Sequence, residues 1–107
     1  MKINRADSFS NQEKKLKKYQ REKDIYDKVI NHIKQCNTID ELEKHPISKM
    51  YGYEALKGDL NKYSSFNLCK NRGRIRLIIT LDKEKNEINL LYISTDHYED
   101  FKKSLRR

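Results

Sequence analysis

The stretch IRLIITLDKEKNEINLLYI, residues 75–93, decides the fold. Its first half sets Ile75, Leu77, Ile79 and Leu81 in alternation with Arg76, Ile78 and Thr80. Its second half sets Ile88, Leu90 and Tyr92 against Asn89, Leu91 and Ile93. A repeat of two residues is the signature of a strand, because successive side chains point to opposite faces. The polar segment DKEKN between them reads as a turn, so the stretch predicts an antiparallel pair. Upstream, Phe66 and Leu68 alternate with Asn67 and Cys69, and NRGR (residues 71–74) supplies another turn. Cross-strand partners share a face, which predicts Leu68 opposite Leu77, Phe66 opposite Ile79, Ile79 opposite Leu90 and Leu77 opposite Tyr92. One sheet face is then apolar, and the other carries Cys69, Arg76, Ile78, Leu91 and Ile93.

Ahead of this sheet the period changes. Ile25, Tyr26, Val29, Ile30 and Ile33 recur at three and four residues, the spacing of a helix with one buried face. Ser10 with Glu13, and Thr38 with Glu41, have the spacing of capping boxes that open helices. Leu16 and Tyr19 give the first of these helices a thin apolar stripe among lysines, and the helix after Thr38 should stop before His45 and Pro46. Residues 1–4 predict a short edge strand. Helices followed by strands define an α+β domain, with N-terminal helices packed on a curved, mainly antiparallel sheet.

The 107 residues suit one domain with a modest core. Charged residues are 37% and hydrophobic residues 36%, but the apolar ones cluster, which predicts a folded chain. The opening residues lack the apolar core of a secretory signal, and no window approaches a membrane span, so a cytoplasmic protein is expected. Cys36 and Cys69 read as two reduced thiols, and His32, His45 and His97 form no ligand cluster, so neither metal nor cofactor is expected. Net charge is +8. Residues 1–54 hold 12 basic and 9 acidic side chains, and residues 55–107 hold 12 and 7, so the excess leans towards the C-terminal half. There KNRGRIR (residues 70–76) contains no acid, a pattern that suits nucleic acid or an acidic protein.

The same register predicts Arg76 across from Ile93, at the end of the sheet where the last strand runs out, with His97 and Tyr98 four and five residues further on. A straight strand would carry His97 about 14 Å past Arg76, so a bend at Ser94, Thr95 and Asp96 is needed to bring them together. Turn-forming Gly58–Asp59 and Asn61–Lys62 predict a reversal that returns Glu54 towards that end.

Leu56-Lys57-Gly58-Asp59-Leu60, Tyr63-Ser64, Ile75-Arg76-Leu77-Ile78-Ile79 and a closing His97-Tyr98 together resemble the RelE/ParE superfamily of toxins from bacterial toxin–antitoxin pairs. The resemblance is strongest to its YoeB-like branch and covers roughly residues 50–98, behind the helical N-terminal half. It implies a RelE-like fold and an endoribonuclease that cuts mRNA on the ribosome without a metal. An acidic antitoxin protein would be the partner. By position, Glu54 would be the general base, Arg76 would stabilise phosphate charge, His97 would be the general acid, and Tyr98 would orient or stack on the RNA. Lys57, Arg72 and Arg74 would hold the RNA backbone. Lys62 stands where relatives often have glycine, and the chain continues for EDFKKSLRR beyond Tyr98, where YoeB-like proteins tend to stop.

Those residues make coherent chemistry. Attack by a ribose 2′-hydroxyl needs a base, a cation for the developing phosphorane charge, and an acid for the leaving 5′-oxygen. Histidine, with an ordinary pKa of about 6.5, can donate a proton near neutrality. A plain alternative stands beside each role: a surface carboxylate at Glu54, a solvated strand end at His97. The superfamily also includes gyrase inhibitors without an acid–base set. A non-enzymatic toxin or a plain nucleic-acid-binding module is therefore the competing expectation.

Overall fold

The structure, a computed structural model, describes residues 1–69 and 75–94. Arg72, Arg74, His97, Tyr98 and the tail after them lie outside the described residues. The chain order is β1 (Lys2–Arg5), α1 (Phe9–Leu16), α2 (Gln20–Gln35), α3 (Ile39–Lys44), α4 (Pro46–Met50), β2 (Glu54–Ala55), β3 (Ser64–Asn67), β4 (Arg76–Asp82) and β5 (Glu87–Ser94). The sheet order is β1-β5-β4-β3-β2, antiparallel throughout except that β1 runs parallel to β5. This is the expected α+β architecture, with the edge strand at its N-terminus.

Helices α1 and α2 each bury one stripe against one sheet face. From α2 the core takes Tyr26, Val29, Ile30 and Ile33, and from α1 it takes Phe9 and Leu16. They meet Phe66, Leu77, Ile79, Ile88, Leu90 and Ile93 of the sheet. Burying each such aliphatic or aromatic side chain is worth ~1.5–3 kcal/mol, so this face supplies most of the driving force.

The box at Thr38 forms: its hydroxyl accepts from the Glu41 amide at 3.1 Å, while the Glu41 carboxylate reaches back to the Asn37 amide at 2.7 Å. The box at Ser10 does not. Helix α1 begins at Phe9, with Ser8 at its cap position making no side-chain bond. Burial of Phe9 in the core draws the helix start forward, and Glu13 instead engages the Tyr26 hydroxyl and the Arg5 guanidinium. The helix after Thr38 does stop before His45, but Pro46 then opens α4, since proline at a first helical position loses no hydrogen bond.

Two details of the expected register are corrected. Phe66 lies opposite Leu77 and Ser64 opposite Ile79, two residues from the expected pairing. The shift keeps the apolar face intact and lets the Leu68 amide bond the Ile75 carbonyl at 2.9 Å. In the last hairpin Ile79 meets Leu90 as expected, but Ile78 meets Tyr92, leaving Leu91 without an opposite residue. This β-bulge reverses the alternation of β5. Leu77 therefore pairs with Ile93, which turns into the core, and Arg76 pairs with Ser94 instead of Ile93.

Candidate active site

The face opposite the helices is built in rows. Glu54, Ser65, Ile78 and Tyr92 are successive register partners across β2, β3, β4 and β5. Asn67, Arg76 and Ser94 form the adjacent row. The bulge is what brings Tyr92 onto this face. Without it, Tyr92 would point into the core.

Glu54 and Arg76 thus share a face, two strands and one row apart. Strand spacing and rise place their Cα atoms about 12 Å apart, within reach of both side chains for one phosphodiester between them. Glu54 is exposed and Arg76 half-buried, and each is engaged in further interactions. Ser94, paired with Arg76, is 1% exposed, and its hydroxyl has no hydrogen-bond partner among the described residues.

The β2–β3 connection folds over the same face. Leu56 and Leu60 bury against Ile78 in a small second core edged by Tyr63 and Tyr92. The Leu56 amide bonds the Tyr63 carbonyl at 2.9 Å, and a single 3₁₀ turn at Gly58–Leu60 follows Lys57, whose side chain remains exposed. Lys57 is therefore held at the margin of the face that carries Glu54.

The approach to β2 is tightly held. Gly52 adopts φ +70°, and a Cβ there would lie 2.9 Å from the Asn67 Cβ. The Asn67 amide bonds the Tyr51 carbonyl at 2.8 Å. Next in the chain, the Tyr53 hydroxyl donates to Glu43 and bonds Ser64, each at 3.2 Å, and burial raises its pKa. Behind α4, His32 Nε2 and the buried Ser48 hydroxyl lie 2.7 Å apart, and the His45 ring stands edge-on to His32. Burial, with His45 second, lowers the His32 pKa. His45 Nδ1 accepts from the Ile47 amide at 3.1 Å, capping α4.

Of the residues singled out in the sequence, the structure brings Glu54, Lys57 and Arg76 to one region. The placement of Arg72, Arg74, His97 and Tyr98 lies outside the described residues. Sequence reasoning missed Tyr92 and Ser94 as members of this face, because nothing in the run NLLYIS marks the bulge. Among the described residues no cluster of histidine, cysteine or acidic side chains could hold a metal, and both cysteines are free. No helix among them is long and apolar enough to cross a membrane.

The fold is that of the RelE/ParE-like toxins. A YoeB/ParE toxin from Agrobacterium tumefaciens superposes with a TM-score of 0.64 at 16% identity, covering 92% of this chain and 100% of its own. YafQ from E. coli strain BL21(DE3) gives 0.63 at 16% identity, over 87% of this chain and 90% of its own. The YoeB–YefM complex from Staphylococcus aureus gives 0.59 at 14% identity, over 91% and 98%. By sequence, neither a protein-family model nor a curated protein matches the chain.

Proposed function

We propose that the chain is the toxin of a toxin–antitoxin pair and cleaves mRNA on the ribosome by attack of a ribose 2′-hydroxyl. The observation that carries this is the register that sets Glu54 and Arg76 on one sheet face, in a fold shared with YoeB/ParE and YafQ. Glu54 takes the 2′-hydroxyl proton, and Arg76 neutralises the charge that grows on the phosphorane. His97 protonates the leaving 5′-oxygen, and Tyr98 orients the base; these two roles rest on the resemblance of the closing His97-Tyr98 motif. Lys57, Arg72 and Arg74 hold the RNA backbone. Such a set completes the proton transfers without a metal or cofactor. The protein would work in the cytoplasm, restrained by an acidic antitoxin, as the Staphylococcus structure pairs YoeB with YefM.

Single-turnover cleavage with ribosomes in excess tests the roles. Arg76→Ala and His97→Ala should each slow cleavage far more than they weaken ribosome binding, because their interactions are made in the transition state. For His97→Ala the loss should be ~10²–10⁴-fold. Lys57→Ala should weaken binding instead. If induction of the protein stops DNA synthesis before protein synthesis, the gyrase-inhibitor reading replaces this one.

A further inference from the structure

Residues 14–21, KKLKKYQR, cross from the end of α1 into α2 and hold five basic side chains with no acidic one. Lys14, Lys15, Lys17, Lys18 and Arg21 are all exposed, while Leu16 between them is buried and fixes the segment to the core. The preceding acid, Glu13, is turned to Arg5 and Tyr26 and does not neutralise the run. Tyr19 sits in the middle with 46% of its surface in solvent.

The position of this tract relative to the candidate active site is what gives it meaning. β1 pairs with β5 only as far as Leu90, so the remaining edge of β5 belongs to α1. There the Gln12 side chain accepts from the Ile93 amide at 2.6 Å, pinning α1 to the strand end that faces Arg76. A groove of about 140 Å³ lies at this junction, lined by Gln12, Lys15, Leu16, Tyr19, Tyr92 and Ile93. Tyr92 belongs both to this groove and to the sheet row beside Arg76. Among the described residues, Tyr92 therefore links the rows that carry Glu54 and Arg76 to the groove that Lys15 and Tyr19 line.

We propose that residues 14–21 form a second RNA-binding tract, which takes the single strand as it leaves the candidate active site past Tyr92. The proposal rests on the RNA-cleaving reading and adds to it a path for the flanking RNA. Lysines spaced along a groove with an exposed aromatic ring are the elements of a single-strand platform: the cations follow the backbone and the ring stacks a base.

The test uses fluorescent 2′-O-methyl oligonucleotides, which cannot be cleaved, of ~4 and ~12 nucleotides, within the range of single-strand site sizes. Their affinities for the full chain are measured over a range of salt. Replacing Lys14, Lys15, Lys17 and Lys18 together by alanine should weaken the longer oligonucleotide and flatten its log–log salt slope by ~0.7 for each phosphate no longer neutralised, up to ~2.8. Binding of the shorter one should be unchanged. Tyr19→Ala should weaken the longer oligonucleotide ~5- to 150-fold, the size of one base stack. These side chains are exposed, so thermal unfolding of both variants should match the wild type. If the wild type distinguishes the two lengths but the variants bind both as it does, the tract is wrong while the active-site reading stands. If the wild type binds neither, the tract is overturned, and the active-site reading is decided by the cleavage assay with ribosomes. Equal affinity for a poly-glutamate peptide of matched charge, with no effect of Tyr19→Ala, would overturn the proposal in favour of an acidic protein partner.

Discussion

Replacing Gly52 by alanine should cost far more stability than replacing Gly58, although both glycines have positive φ, +70° and +65°. An alanine in the left-handed region costs ~1–2 kcal/mol at either position. Part of that is offset, by ~0.4–1 kcal/mol, because alanine also restricts the unfolded chain. At Gly58 nothing lies within 4 Å of the added Cβ, so the net cost should stay near ~1 kcal/mol. At Gly52 the added Cβ would meet the Asn67 Cβ at 2.9 Å. That neighbour cannot swing aside, because it belongs to β3 and its amide is bonded to Tyr51. Relieving the overlap requires a backbone shift of the kind that costs a further ~1–3 kcal/mol. Urea unfolding of the two variants, analysed with a common slope, should therefore give midpoints clearly separated in that order, with Gly52→Ala also melting ~5–20 °C below Gly58→Ala. The shift falls on the segment leading into Glu54, so the proposed RNA cleavage should also fall in Gly52→Ala even where it remains folded. Equal destabilisation by the two substitutions would refute the steric argument and leave only the shared dihedral cost.

Acid should loosen the contact between α2 and α4. His32 has a lowered pKa in the fold, so its stabilising contribution is complete above the free-histidine value of about 6.5 and is lost as pH falls through the lower folded value. For one proton the slope cannot exceed ~1.4 kcal/mol per pH unit, and it should flatten in His32→Gln when urea midpoints are followed across that range. The groups facing the ring are Ser48, Cys36, His45 and Glu41, and only Glu41 raises its pKa. At the start of α3, Thr38→Ala should cost ~1 kcal/mol through loss of the bond to the Glu41 amide, and Thr38→Ser should recover most of it in the same assay.

What the sequence discloses follows from what periodicity can and cannot distinguish. The three- and four-residue spacing in α2 has one physical solution, and Tyr26, Val29, Ile30 and Ile33 are buried as that spacing requires. The turn DKEKN is equally legible: Asp82 accepts from the Lys85 amide at 3.1 Å, and Asn86 takes the positive φ of 53°. A strand pattern of period two, however, is unchanged by a slip of two residues. Leu68 and Phe66 could face Leu77 in turn, and polarity alone does not choose between them. The bulge at Leu91 is hidden for a related reason, since the apolar run from Leu90 to Ile93 offers no polar residue to mark the change of face. Pro46 marks an end through its effect on the preceding residue, but the same fixed φ also lets it begin α4. The acid-free run of residues 70–76 stands out by its closeness to the sheet, whereas the lysines of α1 look like scaffold until the fold sets them beside Tyr92.

The pairing of β1 with β5 also orders events in time. Lys2 lies against Glu87 and Arg5 against Leu90, and the Asn4 side chain bonds Asn89 at 3.0 Å. During synthesis the first strand is made first, yet its neighbour β5 does not begin until Glu87. Helices α1 to α4 and the β2–β3 hairpin consist of local contacts and can form while the chain is still growing. The edge strand must wait for β5, and closing so long a loop adds an entropic cost that local pairs escape. A nascent chain stopped before β5 would have the helices and half the sheet but neither Tyr92 nor a seat for Gln12. The rows that carry Arg76 and the groove beside Lys15 would thus be joined only once β5 has been made, so the proposed RNA-binding surface could not be complete before then.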